Sequence, residues 1–159
     1  MKEISLTIDS LGKTSELAEK IAAKVKGGEV ICLIGDLGVG KTYFVKFFAQ
    51  ALGIESEDVI SPTFVYWRKH KGKDFKLNHF DFYRIESDEE VEDIGIEEAL
   101  EEGNAVIVIE WADRIEKLLP KDRLEIHITY LGETERGLRL KAFGKRSEKI
   151  IKDLDLKKD

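Results

Sequence analysis

Apolar and polar positions along this chain alternate between two periods, one of two residues and one of about 3.6, and each change of period marks a new element. Ile4–Ile8 alternates as a half-buried strand does; Leu17, Ala18, Ile21, Ala22 and Val25 then recur at helical spacing, and Gly27-Gly28 closes that helix. Val30–Ile34, VICLI, is a short continuous apolar run of the kind found in a central parallel strand. A glycine-rich segment separates it from the apolar helical stretch Tyr43–Leu52. Phe64–Arg68 and Asp74–Phe82 read as strands joined by the polar turn His70-Lys71-Gly72-Lys73. Ser87-Asp88-Glu89-Glu90 matches the S-x-x-E capping box and opens an acidic helix toward Leu100, ended by Gly103. Ala105–Ile109, AVIVI, is a second buried strand and runs into Glu110-Trp111. Arg123–Tyr130 and Gly137–Phe143 read as late strands, followed by a charged helix around Glu148–Leu156, so that 147–159 form a charged helix or tail.

Strands alternating with helices around two strongly apolar strands predict an α/β fold of three layers, its central sheet covered by helices on both faces. The hairpins make that sheet mixed, though mainly parallel. At 159 residues the chain fits one domain, 1–159, with no internal repeat and no linker.

Composition narrows the function classes. A hydrophobic share of 42% beside a charged share of 36% describes a folded, soluble protein. The net charge of −6 argues against broad binding to DNA or other nucleic acid, an affinity that comes from Lys and Arg displacing counterions. Cys32, the single cysteine, lies within VICLI and reads as a small core residue; an intramolecular disulfide and a cysteine metal site are excluded. No apolar run approaches the roughly 20 residues needed to cross a bilayer, so the expectation is a cytoplasmic protein without a membrane partner.

The chemistry concentrates in Gly35–Thr42, GDLGVGKT, which meets G-x-x-x-x-G-K-[ST] through Gly35, Gly40, Lys41 and Thr42. The motif sits between a strand and a helix, where backbone N–H groups and a positive helix terminus can face phosphates. On this reading Asp36, Leu37, Gly38, Val39 and Gly40 cradle the phosphates, Lys41 reaches the β- and γ-phosphates, and the Thr42 hydroxyl ligates Mg2+. The fold is then P-loop NTPase-like, and the cofactors are a nucleoside triphosphate and Mg2+.

Such a site also needs an acidic group near the metal, commonly at the end of a neighbouring strand. Glu110 follows AVIVI and fits by position, ahead of the bland reading as a helix-start carboxylate. Asp81, within His79-Phe80-Asp81-Phe82-Tyr83-Arg84, puts a charge into an aromatic strand. It reads equally well as a site residue or as the partner of Arg84 or Lys41 in a salt bridge. Thr63, in Ser61-Pro62-Thr63-Phe64, is either an ordinary strand-opening residue or a contact to the attacking water or γ-phosphate. His70 and His79 lack metal-ligand spacing; His70 reads as a surface turn residue and His79 as structural or adjacent to the site. Trp111 is a core anchor or a partner contact, and the acidic stretch Glu86–Glu102 is a solvated helix face or a docking surface.

Taken in order, GDLGVGKT, SPTF, HFDFYR and IEW resemble the TsaE (YjeE) family of P-loop proteins in tRNA threonylcarbamoyladenosine biosynthesis. The resemblance implies a small cytoplasmic ATPase that acts with TsaD and TsaB in forming N6-threonylcarbamoyladenosine at position 37 of tRNA. The tRNA is engaged indirectly, and the group transfer itself belongs to TsaD. Carried onto matching positions, Lys41 and the loop amides hold phosphates, Thr42 and Glu110 hold Mg2+, Asp81 is catalytic or close to the metal, and Thr63 gains a catalytic role. Arg136, in ERGLRL, is carried over as a nucleotide contact. Because contacts of the γ-phosphate and Mg2+ order nearby segments in a common P-loop switch, the expectation is that bound ATP orders SPTF and HFDFYR over the γ-phosphate and that hydrolysis resets the contact with TsaD and TsaB. Tyr43 and Phe82 depart from the family pattern without removing a proposed ligand.

Two rival classes share the motif. A small-molecule or nucleoside kinase needs arginines on a mobile lid, whereas Arg114, Arg123, Arg136 and Arg139 are scattered. A non-hydrolysing adaptor would bind nucleotide without turning it over.

Overall fold

The computed structural model describes residues 1–55, 66–152 and Leu154. Its strands are β1 (Lys2–Ile8), β2 (Val30–Gly35), β3 (Trp67–Lys71), β4 (Lys76–Asp81), β5 (Ala105–Glu110), β6 (Arg123–Tyr130) and β7 (Arg136–Phe143). Its helices are α1 (Leu11–Ala22), α2 (Lys41–Ala51), α3 (Asp88–Ile94), α4 (Ile96–Glu101) and α5 (Lys145–Lys152), with a 3-10 segment at Ala112–Leu118. The strands form one sheet in the order β1-β7-β6-β2-β5-β4-β3.

The two apolar runs lie side by side in the centre. β2 pairs in parallel with β5 on one side and β6 on the other, and β5 pairs in parallel with β4. The flanks are antiparallel hairpins, β3 on β4 and β7 on β6, with β1 added antiparallel to β7. The result is the mixed sheet with a parallel centre that the alternating pattern predicts.

Period-two alternation divides the core. Ile31 and Leu33 of β2, Val106 and Val108 of β5 and Leu77 of β4 pack with Phe44, Val45 and Phe48 of α2 and Leu17 and Ile21 of α1. The opposite face carries Val30, Cys32, Ile107, Ile109 and Phe80, covered by Val91, Ile96 and Ala99 of α3 and α4 and by Ile115. Cys32 is a fully buried packing residue, and burial pushes its thiol pKa up. Among the described residues no helix is long and apolar enough to cross a membrane.

Three local expectations change. The acidic helix after Ser87 is two helices, because Gly95 at φ +103° ends α3 and starts α4. That break lets Val91 and Ile96, five positions apart and thus on different sides of a straight helix, enter the same core. Ser87 does cap α3, accepting the Glu90 N–H. His70 is not a turn residue: it lies in β3, paired with Leu77, and the turn comes after Lys71. The C-terminal helix begins earlier than expected, at Lys145, where Asp122 accepts the Arg146 and Ser147 N–H groups.

Candidate functional site

Parallel β2, β4 and β5 all end at the same edge, and that edge collects the polar residues. β2 runs out at Gly35, where a Cβ would lie 2.6 Å from the Ile128 carbonyl oxygen and 2.9 Å from Val39 Cγ1, so this position has no room for a larger residue. The chain turns through Gly38 (φ +76°) and Gly40 (φ +125°), conformations that glycine adopts without steric penalty, and enters α2 at Lys41. Gly40 brings no side-chain cap, and the first helical bond is Phe44 N–H to the Gly40 carbonyl. The N–H groups of Lys41, Thr42 and Tyr43 therefore have no acceptor within the helix. With no acidic residue in the first turn of α2, this end keeps its positive potential.

Lys41 is 5% exposed and folds back over the loop. Its Nζ donates to the Gly35 carbonyl and to the Asp36 carbonyl at 2.8 Å, and lies 4.0 Å from the centre of the Trp111 ring. Burial holds the ammonium below its usual pKa, opposed by the fields of Glu110, Asp113, Asp81 and Asp36.

Glu110 ends β5 in register with Asp81 at the end of β4, so the two carboxylates sit on adjacent strands and the same face. Both are buried. The Thr42 hydroxyl donates to Glu110 Oε1 at 3.3 Å, and Glu110 Oε2 lies 2.6 Å from His79 Nε2. Asp81 Oδ1 accepts the Tyr83 N–H at 3.0 Å, shaping the chain as it leaves the strand. Beyond the strand ends, Trp111 packs on Tyr83 with ring centres 5.0 Å apart, and the Arg114 guanidinium lies 5.5 Å from the Tyr83 ring and 5.3 Å from the Trp111 ring. Lys41, Thr42, Asp81, Tyr83, Glu110 and Trp111 thus line one cleft of about 220 Å³ with the loop residues Leu37, Gly38 and Gly40.

Arg136 sits behind the loop. Its Nε donates to the Val39 carbonyl at 3.0 Å, and its Nη1 is held by the carbonyls of Gly132, Glu133 and Glu135. Tyr130, its register partner across β6 and β7, donates its hydroxyl to the Leu37 carbonyl at 3.2 Å and stacks under the guanidinium. Two donors thus draw two loop carbonyls outward. Arg136 also lines a second cleft, of about 270 Å³, bounded by Asp9, Ser10, Leu11, the loop glycines and Tyr43.

A hydroxyl and a carboxylate meeting at one point make a hard oxygen donor pair of the type Mg2+ takes, and Mg2+ commonly combines one or two protein oxygens with phosphates and water. Unpaired first-turn N–H groups, loop carbonyls turned outward and a buried ammonium suit a polyphosphate chain. Thr63 and the rest of SPTF lie outside the described residues.

Sequence reasoning passed over Tyr130 and set Arg114 aside as scattered, although Arg114 stands over the cleft's aromatics. Tyr130 carried no sequence signal of its own, because it joins the site only through the hairpin register that sets it opposite Arg136.

Comparison with known proteins adds an independent finding. The family model described as "Threonylcarbamoyl adenosine biosynthesis protein TsaE" matches residues 8–138. A Bacillus subtilis (strain 168) protein named "tRNA threonylcarbamoyladenosine biosynthesis protein TsaE" is 40% identical over 154 residues, covering 97% of this chain and 95% of its own length. An Aquifex aeolicus protein of the same name is 38% identical over 141 residues, 88% of this chain and 96% of its own. Among solved structures, Bacillus subtilis YdiB superposes with a TM-score of 0.78 at 32% identity, covering 96% of this chain and 93% of that one.

Proposed function

This chain belongs to the TsaE family, and from that premise we propose that it is the ATP-binding and hydrolysing component of tRNA N6-threonylcarbamoyladenosine formation, acting with TsaD and TsaB. The observation that carries the nucleotide part is the junction of α2 with β5, where the Thr42 hydroxyl meets the Glu110 carboxylate beside the buried Lys41 ammonium. Its partners come from the family resemblance.

The loop N–H groups and the first turn of α2 bind the phosphate chain, and Lys41 leaves the Gly35 and Asp36 carbonyls to meet the β- and γ-phosphates. Thr42 and Glu110 hold Mg2+, which supplies neutralisation of charge on the β- and γ-phosphate oxygens. Asp81, level with Glu110, lies where it can orient a water. Trp111 and Tyr83 screen the phosphate region from bulk solvent. The base and ribose lie in the second cleft, between Tyr43 and the Asp9–Leu11 segment, because that cleft continues past the same loop glycines.

On this reading the transfer of the threonylcarbamoyl group belongs to TsaD, and the protein's own reaction is ATP hydrolysis coupled to the state of its partners. The experiment is reconstitution of the modification from purified components with this protein omitted, then restored as wild type or as Lys41→Ala. Multiple-turnover formation of the modified adenosine is expected only with the wild type. Equal product with Lys41→Ala would remove the nucleotide from the account.

A further inference from the structure

The α1/α2 face of the sheet changes character along each central strand. On β5 the residues facing that side are Val106, Val108 and then Glu110; on β4 they are Leu77, His79 and then Asp81. His79 is level with Val108, its register partner, in the layer where β5 is still apolar. An apolar side chain there would complete the core. Instead the imidazole is fully buried, its Nδ1 has no hydrogen-bond partner, and its Nε2 makes one contact, to Glu110 Oε2 at 2.6 Å. A polar ring placed in a core with half its capacity unmet destabilises the fold, so what it does for Glu110 is the property that distinguishes it from a leucine.

A carboxylate accepts and cannot donate, so the proton of this contact is on Nε2. The terminal torsion of a glutamate is broad and has no strong preference of its own. Anchoring one oxygen fixes that torsion and with it the direction of the other. The other oxygen, Oε1, is the one that meets the Thr42 hydroxyl. The geometry points to His79 as a positioning residue: by holding Oε2 it keeps Glu110 Oε1 aimed at the metal position shared with Thr42. This rests on the reading of Thr42 and Glu110 as the Mg2+ ligands. His79 itself has no exposed surface, so it acts through Glu110.

The test is ATP affinity of the full chain by calorimetry, in EDTA and in excess Mg2+, for wild type, His79→Leu, His79→Gln, Glu110→Gln and the double variant His79→Leu/Glu110→Gln. Metal-free affinity comes from the loop and Lys41, so it should stay within about twofold of wild type in every variant. The gain in affinity on adding Mg2+ should fall about tenfold in His79→Leu, the scale on which partners of metal ligands act. It should largely return in His79→Gln, whose amide N–H can reach the same oxygen. In the double variant the leucine should add nothing to the effect of Glu110→Gln. A Mg2+ gain in His79→Leu equal to wild type, or a leucine effect that adds in full to Glu110→Gln, would overturn the proposal. Should His79→Leu not fold, His79→Asn, whose amide stops short of Glu110, carries the same expectation. Failure of the wild type to bind ATP, or Glu110→Gln keeping the full Mg2+ gain, would sink the ligand assignment itself, which is a different result from a silent His79.

Discussion

The Thr42 hydroxyl donates to Glu110 Oε1 at 3.3 Å across 68 positions of sequence, tying the first turn of α2 to the end of β5. If this is where Mg2+ is held, Thr42→Val keeps the volume and removes the oxygen. Calorimetric titration with ATP should show the Mg2+-dependent part of the affinity reduced at least about tenfold, about 1.4 kcal/mol, with the EDTA value little changed. A variant that keeps its full Mg2+ gain would place the metal elsewhere.

Lys41 should show the opposite signature. On the proposed reading, replacing it with Met removes a charge that meets the phosphates directly, so ATP affinity should fall by roughly 10- to 100-fold with or without Mg2+. The empty protein should be at least as stable as wild type. Burial lowers the folded-state pKa of Lys41 below its unfolded value, so the charged group disfavours folding at neutral pH. That penalty fades as pH rises through the folded pKa toward the unfolded one. Denaturation midpoints of the two proteins should accordingly converge at alkaline pH, and a gap that widened there would contradict the burial account.

Lys41 over the Trp111 ring supplies an optical handle. Nucleotide binding should draw the ammonium off the indole and change its fluorescence. The change should vanish in Trp111→Phe, even though Trp67 remains. A signal that survived in that variant would come from β3 instead.

Arg136 and Tyr130 act on the loop's carbonyls. Arg136→Ala and Tyr130→Phe should therefore weaken ATP binding by a similar factor in EDTA and in Mg2+, a few-fold for the single hydroxyl and more for the guanidinium. A loss confined to the Mg2+ condition would mean that these residues act at the metal.

Asp122 governs the far end of the fold. Its carboxylate accepts Arg146 N–H, Ser147 N–H and the Ser147 hydroxyl at 2.7–3.0 Å, fixing the start of α5. Burial pushes its pKa up, but these hydrogen bonds and the Arg146 charge outweigh it and hold the carboxyl below its ordinary value. A lowered folded pKa means that the stabilisation is present above the unfolded value near 3.9 and is lost as pH falls through the folded pKa. Asp122→Ala should cost about 1 kcal/mol at pH 7, on the scale of a lost helix cap. The difference from wild type should shrink in strong acid, read from denaturant midpoints at each pH.

Most of the site was legible because its chemistry is local or sits at strand ends. GDLGVGKT is contiguous, and AVIVI announced that Glu110 would arrive at the edge of a central strand. The register that places Asp81 beside Glu110 follows from two strands of equal length ending together, so Asp81 could be named but its role left open. The Tyr130 and Arg136 hold on the loop depends on a hairpin folding across β2, a long-range relation that no window of sequence displays. His70 went wrong because a polar, glycine-containing stretch looks like a turn, while pairing with Leu77 extends the strand through it. The split at Gly95 was hidden because an isolated glycine is tolerated inside a helical pattern, and tertiary burial of Val91 and Ile96 decides it.

The most direct test of the central claim is steady-state ATP hydrolysis by this protein alone, with TsaD and TsaB, and with both plus tRNA, each repeated with Lys41→Ala and Glu110→Gln. Hydrolysis should be slow in isolation, rise strongly with TsaD and TsaB, and disappear in both variants. Turnover indifferent to the partners, or surviving in Lys41→Ala and Glu110→Gln, would contradict a partner-dependent ATPase built on this P-loop.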